Sequence, residues 1–330
     1  MKLKSYWVVL FMLALVFSTI QAPQAAHAAT RNVYVDTVTE IKDALKNALP
    51  GDVILVAPGE YHLTTTTTVG DKKAYYYSTK SGNSTDKITI KSQFASNPAT
   101  LKGGNVASEG YTLYITGNYW VIQDIKIKNG QKGIILDNSN NTRINKVTVS
   151  DVGQEGIHVR DGSKNTIIEN STIKNTGVTG TANDKGFAEG IYVGSDRSVW
   201  DVNSSTGYDR NVSNTKIRNN TIGPNVAAES IDIKEGASGT LVEGNTFLGA
   251  GISGENYADS FIDVKGYNTT IRNNVFYRQN NSKITKDIAE VDRTNSSNPW
   301  CPANETSNKD LDDTSDGNTY TNNTFHQGNP

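Results

Sequence analysis

Cysteine is almost missing from this chain. Cys301 stands alone among 330 residues, so no disulfide framework can staple the fold. An excess of positive charge is missing too. With Lys2 and Lys4 of the basic N-terminus set aside, 30 basic residues face 34 acidic ones, a net charge of −4. That balance argues against a nucleic-acid partner, which would want a basic face. It leaves an anionic substrate open, because charge inside a groove matters more than the total. Beyond Trp7–Ile20 there is no apolar run of membrane-spanning length. Gly-x-Ser-x-Gly, His-Glu-x-x-His and phosphate-loop motifs do not occur, which leaves the common serine, zinc and nucleotide chemistries without their signatures.

The single apolar run has a different reading. Lys2 and Lys4 precede it, and Ala26-His27-Ala28 follows as a small-x-small cleavage site. Residues 1–28 therefore read as a secretory signal peptide, and 29–330 as one exported domain, neither membrane-bound nor lipid-anchored.

What the chain has in abundance is a repeated phrase. An apolar run ends in Asn, and a β-branched residue followed by an apolar one comes next, as in Arg-Asn-Asn-Thr-Ile (218–222) and Arg-Asn-Asn-Val-Phe (272–276). Aligned this way, Asn145, Asn170, Asn220, Asn245, Asn274 and Asn323 fall in one series, with Asp124 one rung earlier. The steps are 21, 25, 50, 25, 29 and 49 residues, so the period is near 25 with two double steps. Repeats of that length built from short β-branched runs and turns predict a parallel β-helix, an all-β solenoid. The asparagines are then expected to stack in one line and hydrogen-bond up the ladder, as architecture rather than chemistry. Thr39–Leu49 reads as an amphipathic helix, started by Thr37 or Thr39, that covers the open N-terminal end of the solenoid. Residues 64–86 read as a loop or side wall whose Tyr75–Tyr77 could stack on sugars. Insertions near 176–188 and 195–212 are placed where binding sites are usually built.

The second half of each repeat carries the chemistry. Glu155-Gly-Ile-His-Val-Arg160 aligns with Glu189-Gly-Ile-Tyr-Val-Gly194 and with Glu229-Ser-Ile-Asp-Ile-Lys234. Asp259-Ser-Phe-Ile-Asp-Val-Lys265 follows, one residue longer, which suggests a bulge. The hydrophobics alternate inward, so three columns face out. They are Glu155, Glu189, Glu229, Asp259; then His158, Tyr192, Asp232, Asp263; then Arg160, Gly194, Lys234, Lys265. Carboxylates about 5 Å apart repel unless a counter-charge sits among them. Arg160, Lys234 and Lys265 could supply it, or a hard cation: Ca²⁺, which takes six to eight oxygen ligands, is the expected cofactor, at Glu229, Asp232, Asp259 and Asp263. Lys234 and Lys265 are the candidate bases, and His158, Arg160, Tyr192 and Glu189 the candidate substrate contacts. A lysine beside a cation suits abstraction of a proton α to a carboxylate, and so β-elimination of a uronic-acid polysaccharide.

The helix with Pro-Gly-Asp-Val-Ile-Leu-Val-Ala-Pro-Gly-Glu-Tyr (50–61), the leader and the ladder together resemble the secreted right-handed parallel β-helix polysaccharide lyases. These form the pectate-lyase-like superfamily, and polysaccharide lyase family 9 is nearest. The resemblance covers most of residues 29–330. It implies a calcium-dependent monomeric lyase with a lysine base, Lys234 or Lys265, and metal ligands among Glu229, Asp232, Asp259 and Asp263. Carboxylates spread over several coils, partly as Glu, depart from the tight Asp cluster of the pectate enzymes. The expected substrate is therefore pectate-like, glycosaminoglycan-like or a bacterial sheath polymer. Two rival readings share the scaffold: a glycoside hydrolase using Asp232 with Asp263 or Glu229, and a glycan-binding surface protein without activity. Asp310, Asp312, Asp313 and Asp316 resemble half of a calcium loop.

Overall fold

The computed structural model describes residues 30–108, 110–178, 182–202, 205, 207–286, 289–290 and 317–330. The expected leader, Cys301 and the Asp310–Asp316 group lie outside them. Among the described residues the chain winds into three sheets. One has ten strands, from Arg31–Val35 to Thr319–Thr321. The second has nine, from Glu60–His62 to Thr324–His326. The third also has nine, from Thr67–Val69 to Ala289–Glu290. Each strand pairs in parallel with its counterpart one coil away, except that Thr67–Val69 runs antiparallel to Lys72–Ser78. The fold is the right-handed parallel β-helix that the repeats predict.

Alternation explains the core. In the third sheet Ile134, Ile157, Ile191, Ile231 and Ile262 stand at one register position and Leu136, Val159, Val193, Ile233 and Val264 two residues on. All ten are fully buried. A β-branched stack of this kind makes each coil the floor of the next, with strands about 4.8 Å apart. The helix spans Val38–Lys46, and Thr37 Oγ1 caps it by accepting the Glu40 N–H at 3.2 Å. Ile41 and Leu45 enter the core over the first coil, while Leu49, expected on the same face, lies beyond the helix and is exposed.

The expected asparagine line needs correction. Asn145 pairs in register with Glu169, Arg218 and Glu243, two positions before Asn220, and Asn170 stands one position before it. The true inner ladder is Asn220, Asn245, Asn274 and Asn323. Each takes its predecessor's N–H on Oδ1 and donates Nδ2–H to a carbonyl of the coil before. Asn220 accepts from Ser171 N at 2.9 Å and donates to Ile168 O at 2.9 Å. Asn220→Ala strands both buried groups. It is expected to lower stability by about 1–3 kcal/mol in chemical denaturation. An unchanged midpoint would deny the ladder its structural role.

Residues 64–86 also differ from expectation. They form the hairpin that opens the third sheet, and Tyr75 and Tyr76 are buried in the core. Tyr76 donates to Tyr61 O at 2.8 Å. Only Tyr77 keeps partial exposure.

Candidate active site

The outer face of the third sheet carries the second predicted column in register. Tyr77, Tyr114, Ile135, His158, Tyr192, Asp232 and Asp263 follow one another across successive coils. The column thus runs from an uncharged end to an acidic end. Facing outward does not mean exposed here. Glu155, Glu189, Glu229, Asp232, His158 and Arg160 are all buried.

At the acidic end, one oxygen each from Glu189, Glu229 and Asp232 lies within 4.8 Å of the other two. Glu189 Oε2 and Asp232 Oδ1 are buried and make no hydrogen bond. Burial and the charges of Glu155 and Asp232 push the Glu189 carboxyl up to about 8. Glu229 is raised well above the carboxylate range by burial, Asp232 and Glu189. Carboxylates that close together, oxygen-rich and short of donors, suit a hard cation with 2.3–2.6 Å oxygen contacts.

Lys234 and Lys265 sit beside this trio. Lys234 Nζ is 2.9 Å from Asp232 Oδ2, and Lys265 Nζ is 3.8 Å from Asp232 Oδ1 and in contact with Asp263. Burial would lower both lysines, but Asp232 and Asp263 outweigh it and hold both above their usual value. Asp263 itself is raised by burial and by Asp232 to about 7, with Lys265 opposing. Tyr192 fills the next rung. Lys234 Nζ lies 5.2 Å from its ring centroid. Burial, then Asp232 and Glu189, keep its phenol protonated far above the ordinary range.

The expected residues do not all converge. Glu229 opposes Ser260 in register, because Asp259 is displaced by the extra residue, and Asp259 Oδ2 meets Thr285 Oγ1 at 3.2 Å. The converging carboxylate trio therefore includes Glu189, expected as a substrate contact, while Asp259 and Asp263 are not part of it. Arg160 is buried and bound twice to Asp137, at 2.6 and 3.1 Å, and once to Tyr111 Oη. Its guanidinium lies 4.3 Å from the Tyr208 ring centroid, so it secures the 195–212 insertion onto the sheet. His158 Nε2–H donates to Gly194 O at 2.8 Å, and its ring meets the edge of Tyr192. Burial holds His158 below its usual value, with Glu155 opposing.

Asp137 and Lys132 escaped the sequence reading. Lys132 pairs with Glu155 at 2.6 Å, which keeps that carboxylate ionised despite burial. Both were within reach, since Lys132-Gly-Ile-Ile-Leu-Asp137 is the same repeat one coil earlier.

The family model described as the Pel9A-like right-handed β-helix region matches residues 21–282. The crystal structure of an alginate lyase from Paenibacillus sp. str. FPU-7 superposes with a TM-score of 0.71 at 44% identity. That match covers 78% of this chain and 80% of the other. Pectate lyase Pel9A gives a TM-score of 0.55 at 14% identity over 76% of this chain and 64% of its own, a likeness of fold alone. A rhamnogalacturonan lyase gives 0.52 at 15% over 75% and 68%, again fold alone. No curated protein matches the chain. With most of its length under the family model and a lyase of nearly half-identical sequence laid along it, the chain belongs to the Pel9A-like right-handed β-helix family and is a polysaccharide lyase.

Proposed function

We propose that this lyase cleaves a uronate polysaccharide by β-elimination, and that alginate is its substrate. The observation that carries the reading is Lys234 and Tyr192 on adjacent coils above three converging carboxylates, in a chain 44% identical to an alginate lyase.

The uronate ring lies along the column with its C5 hydrogen toward Lys234 Nζ. Lys234 takes that proton, the C4–O bond breaks, and a C4–C5 double bond forms. Tyr192 gives its proton to the departing glycosidic oxygen. Its raised pKa makes it a poor base and keeps the proton in place until the leaving oxygen needs it. Glu189, Glu229 and Asp232 would hold Ca²⁺, which when bound draws charge from the substrate carboxylate and makes the C5 hydrogen more acidic. Asp232 holds Lys234 in place at 2.9 Å, where burial opposes the carboxylates and favours its neutral form. Lys265 keeps Asp263 compensated. Export through the leader 1–28 and monomeric action of the single domain 29–330 outside the cell complete the proposal, since the polymer is too large to enter.

The test is the near-ultraviolet absorbance of unsaturated uronate. It is read on alginate, polygalacturonate, a glycosaminoglycan and a bacterial sheath polymer, with calcium and with chelator. Alginate is expected to give product that the chelator abolishes. New reducing ends without that absorbance would replace elimination with hydrolysis, and product from another polymer alone would replace the substrate.

A further inference from the structure

Two exposed aromatic side chains lie on the segments that lead into the carboxylate column, outside the machinery described above. Phe187 lies two residues before Glu189 and is 52% exposed. Tyr257 lies two residues before Asp259 and is 86% exposed. They belong to different coils, yet their segments meet. The 3-10 turn Ala182–Phe187 packs on Glu255–Tyr257, and Asn256 Nδ2–H donates to Gly186 O at 3.1 Å. Gly186 permits that approach. A Cβ there would come within 2.3 Å of Asn256 Cβ and 2.9 Å of the Glu255 carbonyl oxygen.

The backbone that presents Tyr257 is unusual. Gly254, Asn256 and Tyr257 all have left-handed φ, at 75°, 52° and 67°. Glycine and asparagine tolerate that region, and tyrosine does not favour it. The segment is nevertheless tied down. Gly254 N–H donates to Ala258 O at 2.9 Å, Asp259 N–H to Tyr257 O at 2.8 Å, and the Ala258 side chain is fully buried. Most left-handed positions among the described residues are Gly, Asn or Asp; of the two tyrosines there, Tyr119 is half-buried and Tyr257 is exposed. Strain held in place by its surroundings, and used to push a large ring into solvent, points to a ligand for the ring.

We propose that Phe187 and Tyr257 form an aromatic platform at the rim of the cleft, on which a pyranose ring of the uronate polymer stacks outside the cleavage subsite. The inference rests on the reaction proposed above for the identity of the polymer. The apolar C–H face of a sugar ring meets the aromatic faces, and its carboxylate and hydroxyls stay in water. Neither residue belongs to the proposed base, acid or carboxylate trio, so the platform grips substrate without acting on the reacting bond. Such binding is uniform between ground and transition states, and its loss raises KM while kcat holds.

Two measurements on the full chain test it. In the first, Phe187→Ala, Tyr257→Ala and Tyr257→Trp are assayed on long alginate and on the shortest oligosaccharide cleaved. Each alanine variant is expected to raise KM for the polymer roughly tenfold at unchanged kcat. Tyr257→Trp should retain the wild-type value, and the short substrate should not distinguish the variants. A wild-type KM in Tyr257→Ala overturns the platform. The second measurement needs no turnover: migration in gels containing alginate, on a Lys234→Arg background. Loss of retardation in Tyr257→Ala supports the platform even if the elimination chemistry is wrong. Equal retardation with and without the Tyr257 ring overturns it even if the chemistry is right.

Discussion

Lys234→Ala is expected to lose roughly 10³-fold in kcat, the largest effect of any single substitution in the cleft. Alanine confounds two losses, however. It removes the base and it takes from Asp232 a partner at 2.9 Å, leaving Lys265 at 3.8 Å as the nearest cation. Lys234→Arg separates them. Arginine keeps a positive charge against Asp232 but does not give up its proton near neutral pH. A folded, calcium-binding and inactive Lys234→Arg enzyme assigns the loss to proton transfer. Lys265→Ala should cost less, about tenfold, because that side chain serves Asp263. Tyr192→Phe removes only the hydroxyl, preserves the ring beside His158, and should cost about 10²-fold. If Lys234→Arg turned over alginate at the wild-type rate, another group would have to be the base.

Removing calcium is expected to make the fold less stable as pH rises, opposite to the usual behaviour of a carboxylate in an ion pair. Glu189 is raised to about 8 and Asp263 to about 7, with Glu229 raised as well. Between the ordinary carboxylate range and these values the native state binds more protons than the unfolded chain. Stability therefore falls with increasing pH across that window. His158 works the other way. Its folded value lies below 6.5, so its contribution rises with pH up to that point and then stops. The steepest loss is thus expected between about pH 6.5 and 8, on the order of a few kcal/mol, or roughly 5–10 °C in Tm. Calcium should restore Tm near pH 8 and change it little near pH 5, where Glu189 and Glu229 still hold protons. Glu189→Gln should flatten the profile. A Tm indifferent to both pH and chelator over this range would remove the cation from the trio.

Much of this was legible in the residues because a solenoid writes its three-dimensional neighbours into one period. Glu155, Glu189 and Glu229 could be stacked on paper, and so could Lys234 and Lys265. What misled was chemistry shared by adjacent positions. Asn219 and Asn273 take left-handed φ, at 54° and 55°, while Asn220 and Asn274 beside them face inward and bond the ladder. An Arg-Asn-Asn run contains both kinds, so alignment by identity slid Asn145 and Asn170 out of register. The bulge at Asp259 could be read from one surplus residue, but not that it would turn the carboxylate toward Thr285. Burial of the columns was hidden as well, because the covering loops follow no period. Arg160 looked like a free cation until Asp137 and Tyr208 were beside it in space.

The asparagine ladder also has a direction in time. Asn245 completes the backbone of the coil holding Ile217 and Asn220, Asn274 that of Val242 and Asn245, and Asn323 that of Ile271 and Asn274. In every case the donor of help comes later in the chain than the coil it serves. A coil arriving from the ribosome therefore stands unfinished until its successor settles on it. The solenoid closes in the order it is made, each turn fastening the last, and the most recent turn is always the loosest.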